Sequence, residues 1–122
     1  MFLLDFTSKQ PVYEQMTSQL RRRIALGLTP AGAPMPSVRQ LSAQLGVNPN
    51  TVQKAYRQME QEGLIVTSPG RGSYITQDTA LVRRRRQQAQ MRQLRAQLKE
   101  GRELGLTRDQ VQALLNQTYK EE

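Results

Sequence analysis

Two short amphipathic segments in the middle of the chain are joined by a very brief connection. The first spans residues 37–45, has a serine at the position of a helix N-cap, and stops at Gly46. Only Val47 separates it from Asn48 and Pro49, residue types favoured at the N-cap and the first position of a helix. Two short helices joined by so tight a glycine-containing turn predict a helix-turn-helix unit.

The flanking segments complete a small domain around this unit. A preceding helix is expected to begin at Pro11 and to end before Gly27. After Gly63 the pattern changes, and residues 64–67 and 73–76 form two β-prone segments around a glycine-rich tip. Three helices followed by a hairpin predict a winged helix-turn-helix, a mainly α fold with a small β component (α+β). The apolar positions expected inside the three helices are Tyr13, Met16, Leu20, Ile24, Val38, Leu41, Leu45, Val52, Ala55, Tyr56 and Met59.

The rest of the chain is more polar and predicts two further helices. Residues from about 80 to 104 are rich in arginine, glutamine, leucine and alanine, which favour helix, and Gly105 interrupts the segment. Thr107, followed three residues later by a glutamine, matches a capping box at the start of the last helix. We therefore expect a winged helix-turn-helix domain over residues 1–76 and a separate helical segment over residues 77–122.

The apolar residues of this second segment recur at spacings of three and four, and the segment is too small to bury them by itself. A second copy of the chain is the economical partner, because modules of about 40 residues rarely hold a core alone. Packing back onto residues 1–76 is the alternative. The residues expected at the dimer interface are Met91, Leu94, Leu98, Leu104, Val111, Leu114 and Leu115.

Charge and composition narrow the function classes. Among 122 residues, 18 Lys and Arg oppose 10 Asp and Glu, so the formal net charge is +8. The lack of cysteine and histidine removes disulfides, Cys/His metal sites and histidine-dependent catalysis. No phosphate-binding loop occurs, and no paired carboxylates occur in a cleft-like context. We expect no enzymatic activity, no metal and no cofactor.

The first residues and the hydropathy of the chain bear on its location. The apolar start lacks the basic lead of a signal peptide, and no apolar stretch approaches the length of a membrane span. We therefore expect a cytoplasmic protein without membrane association. The natural partners of so basic a chain are polyanions.

The polar face of the second helix of the pair is the candidate DNA-reading surface. It carries Asn50, Gln53, Lys54 and Arg57. In a helix-turn-helix the start of the second helix faces base edges in the major groove, where Asn and Gln can bind adenine and Lys can reach guanine or phosphate. Any amphipathic helix has a polar face, so the assignment depends on its position between a tight turn and a basic hairpin. Asn48 is assigned first as a helix cap and second as a DNA contact.

Three further basic features accompany this face. Arg39, in the first turn of the preceding helix, suits a phosphate or an adjacent base, and a surface ion pair with a carboxylate such as Glu62 is the alternative. The hairpin tip, residues 70–72, permits close approach to a phosphate or the minor groove, with Arg71 supplying charge; an ordinary turn is the alternative. The run Arg83–Arg86 covers a full helical turn and is expected to be a solvated surface rather than a specific contact.

Several blocks of the sequence, in order, resemble the GntR family of bacterial transcription regulators. They are PVYEQ at 11–15, PSVRQL at 36–41, GVNPNTV at 46–52, EGLI at 62–65 and GRGSYI at 70–75. The short tail resembles that of the YtrA subfamily, in which two C-terminal helices form a dimer. Members of that subfamily often repress operons for membrane transport systems, frequently ABC transporters.

The resemblance also implies positions for DNA contacts. The family's contacting arginine falls on Arg39, the start of its recognition helix on residues 48–51, and its wing glycine on Gly70. Gln53 departs from the family, since many members have arginine there, so a base preference is not implied. The loop at residues 29–32 also departs from the family's usual sequence. The complete set of expected DNA contacts is Ser37, Arg39, Asn48, Pro49, Asn50, Thr51, Gln53, Lys54, Gly70, Arg71 and Gly72.

Taken together, these features predict a sequence-specific regulator, a repressor that binds a pseudo-palindromic double-stranded DNA operator as a homodimer. The alternative is a protein-interaction module whose basic helical tail binds an acidic protein and whose DNA binding is incidental. A small-molecule effector would bind at the dimer interface or in a pocket between the two parts.

Overall fold

Five helices and one two-stranded sheet make up the computed structural model, which describes residues 1–121. This order of elements confirms the predicted mainly α winged helix-turn-helix followed by two helices. The chain divides into two compact units, unit 1 from Met1 to Arg86 and unit 2 from Gln87 onward. The expected boundary between a DNA-binding domain over residues 1–76 and a helical segment over residues 77–122 stays a prediction. The elements are α1 (Val12–Ala25), α2 (Val38–Leu45), α3 (Pro49–Gln61), β1 (Ile65–Ser68), β2 (Gly72–Ile75), α4 (Thr79–Glu103) and α5 (Arg108–Lys120).

An apolar core holds unit 1 together. Met16 and Leu20 of α1 and Met59 of α3 are fully removed from solvent at its centre. Ile65 and Ile75, which pair across the antiparallel hairpin, are buried with them. Complete burial of such a side chain contributes about 1.5–3 kcal/mol, so this cluster fixes α3 against α1 and the hairpin. Among the positions expected inside the helices, three are only partly buried: Tyr13, Val38 and Leu45.

Two helix starts carry the capping boxes that set their position. In α2 the Ser37 hydroxyl accepts the Gln40 N–H at 3.1 Å, and the Gln40 side chain accepts the Ser37 N–H at 3.0 Å. Thr107 and Gln110 repeat this exchange at α5, at 3.1 and 2.9 Å. Each box satisfies N–H groups that a helix start leaves unpaired. The predicted capping box at Thr107 is confirmed.

The loop before α2 extends the hairpin, a feature that the sequence did not predict. The Met35 N–H donates to the Ser73 carbonyl at 2.9 Å, and the Ile75 N–H donates to the Ala33 carbonyl at 2.8 Å. Because β2 pairs with β1 on its other side, this loop acts as a short additional edge of the sheet. The hairpin is therefore tied to the start of α2.

The first residues are also anchored, by two glutamines of α1. Gln19 exchanges two hydrogen bonds with the backbone of Leu3, at 2.9 and 2.6 Å. Gln15 does the same with Asp5, at 2.9 Å for both bonds. The side chain of Phe2 is buried in the core. The N-terminal arm thus follows α1 and is part of unit 1.

Unit 2 contains the later part of α4 and all of α5. Gly101 is buried where the two helices meet, and a Cβ added there would lie 3.1 Å from a methyl carbon of Leu106. Gly105, with φ +91°, provides the left-handed conformation that turns the chain into α5. No other residue described from position 87 onward is buried. The two helices therefore meet closely at their turn and leave most of their apolar surface open.

Candidate nucleic-acid interface

The turn between α2 and α3 is fixed by one left-handed backbone conformation and two hydrogen bonds. Gly46 ends α2 in the left-handed conformation, with φ +64°. The hydroxyl of Ser42, buried in α2, donates to the carbonyl of Val47. The Asn48 side chain then accepts the Asn50 N–H at 2.8 Å, which confirms Asn48 as the N-cap of α3. The start of α3 is therefore held in a defined position relative to α2.

Helix α3 has sharply different faces. Its predicted inner residues are buried, which confirms the predicted buried face of this helix. Its opposite face is polar and exposed, while Thr51 is half-buried at the boundary. The exposed polar side chains are available to a ligand as large as duplex DNA. The buried residues are Val52, Ala55, Tyr56 and Met59, and the exposed ones are Asn50, Gln53, Lys54 and Arg57.

Tyr56 ties α3 to the loop before α2. Its hydroxyl donates to the carbonyl of Pro36. Burial raises the pKa of Tyr56 to about 12, so the phenol is neutral and keeps its proton for this bond. The sequence identified Tyr56 as a core residue but gave no indication of its hydrogen-bond partner. A buried tyrosine hydroxyl requires such a partner, which is the signal that could have been used.

Lys54 has an intramolecular partner that the sequence did not predict. Its ammonium nitrogen lies 4.1 Å from the centre of the Tyr13 ring in α1. This distance is within the range of a cation–π interaction. The Lys54 side chain remains exposed, so its expected DNA contact stays a prediction. The contact restrains the ammonium group at the edge of α3 that faces α1.

Arg39 does not pair with Glu62, so that alternative is wrong. Glu62 is engaged instead by Arg21 of α1, whose guanidinium donates to both carboxylate oxygens at 2.8 Å. Within residues 1–121 no carboxylate lies within the 4.0 Å ion-pair distance of Arg39. Its side chain is exposed in the first turn of α2. The guanidinium is therefore open to an external anion.

The hairpin tip exposes Arg71 between two glycines. Gly70 and Gly72 have φ +75° and +92°, which an L side chain adopts only under strain. The Tyr74 hydroxyl donates to the Arg71 carbonyl at 2.8 Å, a support for the tip that the sequence did not predict. The arginine side chain is exposed beyond it. All residues expected to contact DNA thus lie in unit 1, on α2, α3 and the hairpin or directly before these helices.

All but one of the predicted dimer residues lie along a cleft between α4 and α5 of unit 2. The cleft has a volume of about 440 Å³, and Thr118, Tyr119 and Arg95 complete its lining. Leu104 does not line the cleft but is exposed directly after α4. Within this chain nearly all of these apolar side chains are exposed, and only Val111 is half-buried. The residues in the cleft are Met91, Leu94, Leu98, Val111, Leu114 and Leu115.

Other kinds of site are not found in the part of the chain that the structure describes. No three histidine, cysteine, aspartate or glutamate side chains come together as they would around a metal ion. Among residues 1–121, no helix combines the length and apolar character that a bilayer crossing requires. The run from Arg83 to Arg86 is exposed apart from Arg86, which is half-buried.

Comparison with known proteins decides the family. Residues 12–75, more than half of the chain, match the model of the bacterial regulatory proteins of the gntR family. The chain belongs to this family. It is 39% identical over 102 residues to the HTH-type transcriptional repressor YtrA of Bacillus subtilis, a match that covers 82% of this chain and 75% of that protein. It is 33% identical to the regulator YhcF of the same organism, over 88% of each chain.

Solved structures of transcription regulators share this fold. A transcriptional regulator from Oenococcus oeni superposes with a TM-score of 0.85 at 31% identity, over 98% of this chain and 99% of that one. YtrA from Sulfolobus acidocaldarius superposes with a TM-score of 0.62 at 34% identity, over 78% of this chain and 97% of that one. This gntR-family chain is therefore a YtrA-like, DNA-binding transcription regulator, not an enzyme.

Proposed function

We propose that this regulator is a homodimeric repressor that binds a pseudo-palindromic operator through α3. The observation that carries the proposal is the exposed polar face of α3, opposite a fully buried one and directly after a rigid turn. This is the arrangement in which the second helix of a helix-turn-helix lies in the major groove. Gln53 and Asn50 are the side chains assigned to base edges, where their amides can bind adenine.

The remaining polar groups are assigned to the DNA backbone. Arg39 is exposed and without a carboxylate partner in the described chain, so its guanidinium suits a phosphate. The starts of α2 and α3, at Ser37 and at Asn48 to Thr51, present helix N-termini, which favour anions. Lys54, Arg57 and the exposed tip at Gly70, Arg71 and Gly72 add further contacts. Because phosphate contacts dominate the affinity, we expect binding to weaken steeply as salt concentration rises.

The proposed dimer forms through the apolar surface of α4 and α5. The exposed side chains of Leu94, Leu98 and Leu114 support this assignment, since water-exposed leucines on facing helices gain most from a second copy. Two recognition helices would then enter successive major grooves about 34 Å apart. The division of the chain at residue 76 into a DNA-binding and a dimerisation part follows from this assignment.

The biological setting is part of the same proposal. The Bacillus subtilis relative carries the name repressor, and repression is the role proposed here. The regulator would act in the cytoplasm, where bacterial DNA is found, and operons for membrane transport are the first candidates for control.

Selection of bound fragments from a random DNA pool tests the proposal. Wild type should enrich two related half-sites in inverted orientation, about one helical turn apart between centres. Gln53→Ala should enrich a different half-site sequence, because the amide reads a base edge. Arg39→Ala should keep the wild-type sequence and bind it at least about tenfold more weakly, since a hydrogen bond to a charged group contributes about 1.5–3 kcal/mol.

Arg92→Ala is the matched charge control, because this exposed arginine belongs to unit 2 and is not among the residues assigned to DNA. It should bind the selected DNA within twofold of wild type. Enrichment of a single half-site would contradict the dimer, and an unchanged sequence preference in Gln53→Ala would contradict the base contact.

A further inference from the structure

A second cleft in unit 2 is lined by cations rather than by apolar side chains alone. It lies between α4 and the start of α5 and has a volume of about 400 Å³, within the range of small-molecule sites. Of the six Lys and Arg residues from position 87 onward, four line this cleft. They are Arg95, Lys99, Arg102 and Arg108.

The acidic residues of the same unit are kept out of this cleft. Glu100, Glu103 and Asp109 are neighbours of the four cations in sequence, yet no described carboxylate lines the cavity. Within residues 1–121 none of the four cations has a carboxylate within 4.0 Å. Charges of one sign gathered in a concave site focus a positive potential that attracts anions.

The start of α5 adds to this potential. The thirteen-residue helix begins at Arg108, after its N-cap Thr107, and both residues line the cleft. The positive end of the helix dipole therefore has the same sign as the four side chains. The floor of the cleft is apolar, formed by Leu98, Leu106 and other leucine and valine side chains.

We propose that this cleft binds a small organic anion with a phosphate or carboxylate group and an apolar body. Arg95, Lys99, Arg102 and Arg108 would hold the anionic group, since guanidinium groups bind phosphate and carboxylate through paired hydrogen bonds. The apolar body would lie on the floor and point towards the apolar cleft, because Leu98, Val111 and Leu115 line both cavities. This proposal does not rest on the proposed operator, whereas the three shared side chains also belong to the proposed dimer surface.

Isothermal titration calorimetry of the full chain with three probes tests the site. 1-Naphthyl phosphate carries both features, inorganic phosphate carries only the anion, and 1-naphthol carries only the apolar body. We expect saturable binding of naphthyl phosphate, at least tenfold tighter than that of either partial probe. Equal affinity for naphthol would overturn the role of the cations.

Variants locate the bound probe. Lys99→Gln with Arg102→Gln should weaken naphthyl phosphate binding at least tenfold, because both side chains line the cleft. Arg92→Gln with Lys120→Gln removes the same charge from unit 2 at exposed positions outside the cleft, and should change the affinity less than twofold. An equal loss in this control pair would show attraction to net charge only. A loss in Arg39→Ala would place the probe on the DNA-binding surface, and either result would overturn the proposal.

Discussion

The two units of this regulator use apolar side chains in opposite ways. In unit 1 the leucine, methionine and isoleucine residues of α1, α3 and the hairpin are almost completely buried. In unit 2 the leucines of α4 and α5 keep roughly half or more of their surface exposed, as at Leu94, 48%, and Leu98, 53%. Unit 1 thus has a closed core of its own, whereas the apolar surface of unit 2 stays exposed within a single chain.

This difference indicates which unit the proposed dimer would stabilise. A closed core makes folding of unit 1 independent of protein concentration. In the proposed dimer a second copy covers the apolar surface of unit 2, so the stability of unit 2 should depend on protein concentration. The predictions below test this contrast from the largest expected effect to the smallest.

The largest expected effect is on the core of unit 1. Leu20→Ala should lower the free energy of unfolding by about 3 kcal/mol at every protein concentration, because a fully buried leucine leaves a cavity. Leu98→Ala is the matched variant in unit 2, and its loss of stability should shrink as the protein is diluted. Urea unfolding followed by circular dichroism at several concentrations measures both. A concentration-independent loss in Leu98→Ala would remove the contrast.

The second expected effect is on assembly. Leu94→Asp with Leu98→Asp should yield monomers in sedimentation, because two charges are then buried in the proposed apolar interface. Affinity for a palindromic site should fall about a hundredfold, since linked half-sites no longer bind together. Unit 1 should keep its fold, as judged by its amide resonances. Persistent dimers in sedimentation would move the interface to another surface.

A smaller effect is expected at the hydrogen bond between Tyr56 and Pro36. Tyr56→Phe should lower the free energy of unfolding by about 1 kcal/mol at neutral pH. The pKa of Tyr56 in the folded chain, about 12, lies above the ordinary value of 10.0, so folding favours the neutral phenol. The stability that the neutral phenol of Tyr56 contributes is complete below pH 10 and is lost as the pH rises towards 12.

The pH dependence separates Tyr56 from the other titrating groups. Wild type should lose more stability than Tyr56→Phe between pH 10 and pH 12, in urea unfolding at each pH. Tyr119→Phe is the control and should follow wild type, because this tyrosine is exposed and the substitution keeps the ring that lines the apolar cleft of unit 2. Parallel curves for wild type and Tyr56→Phe would contradict the assigned role of the buried phenol.

The smallest effects are expected at the two capping boxes. Ser37→Ala should lower the free energy of global unfolding by up to about 1 kcal/mol, because α2 unfolds together with the core of unit 1. Thr107→Ala should instead reduce hydrogen-exchange protection in α5 and leave the unfolding of unit 1 unchanged. A loss of global stability in Thr107→Ala would show that the two units unfold as one.

Short-range sequence patterns predicted most of the fold and much of the candidate interface. The helix starts at Ser37, Asn48 and Thr107 could be predicted because capping depends on residues three positions apart at most. The exposed side of α3 followed from the spacing of its apolar residues. The pairing of Arg21 with Glu62 could not be predicted, since 41 residues separate the two side chains.

The sequence by itself determined the order of the elements, the inner face of each helix in unit 1 and the family to which the chain belongs. Only the tertiary structure decided that Tyr56 binds the Pro36 carbonyl, that Lys54 lies over Tyr13 and that four cations share one cleft without a carboxylate. The reason is physical. Periodicity and capping act over a few neighbouring residues, whereas contacts between elements depend on how whole helices pack.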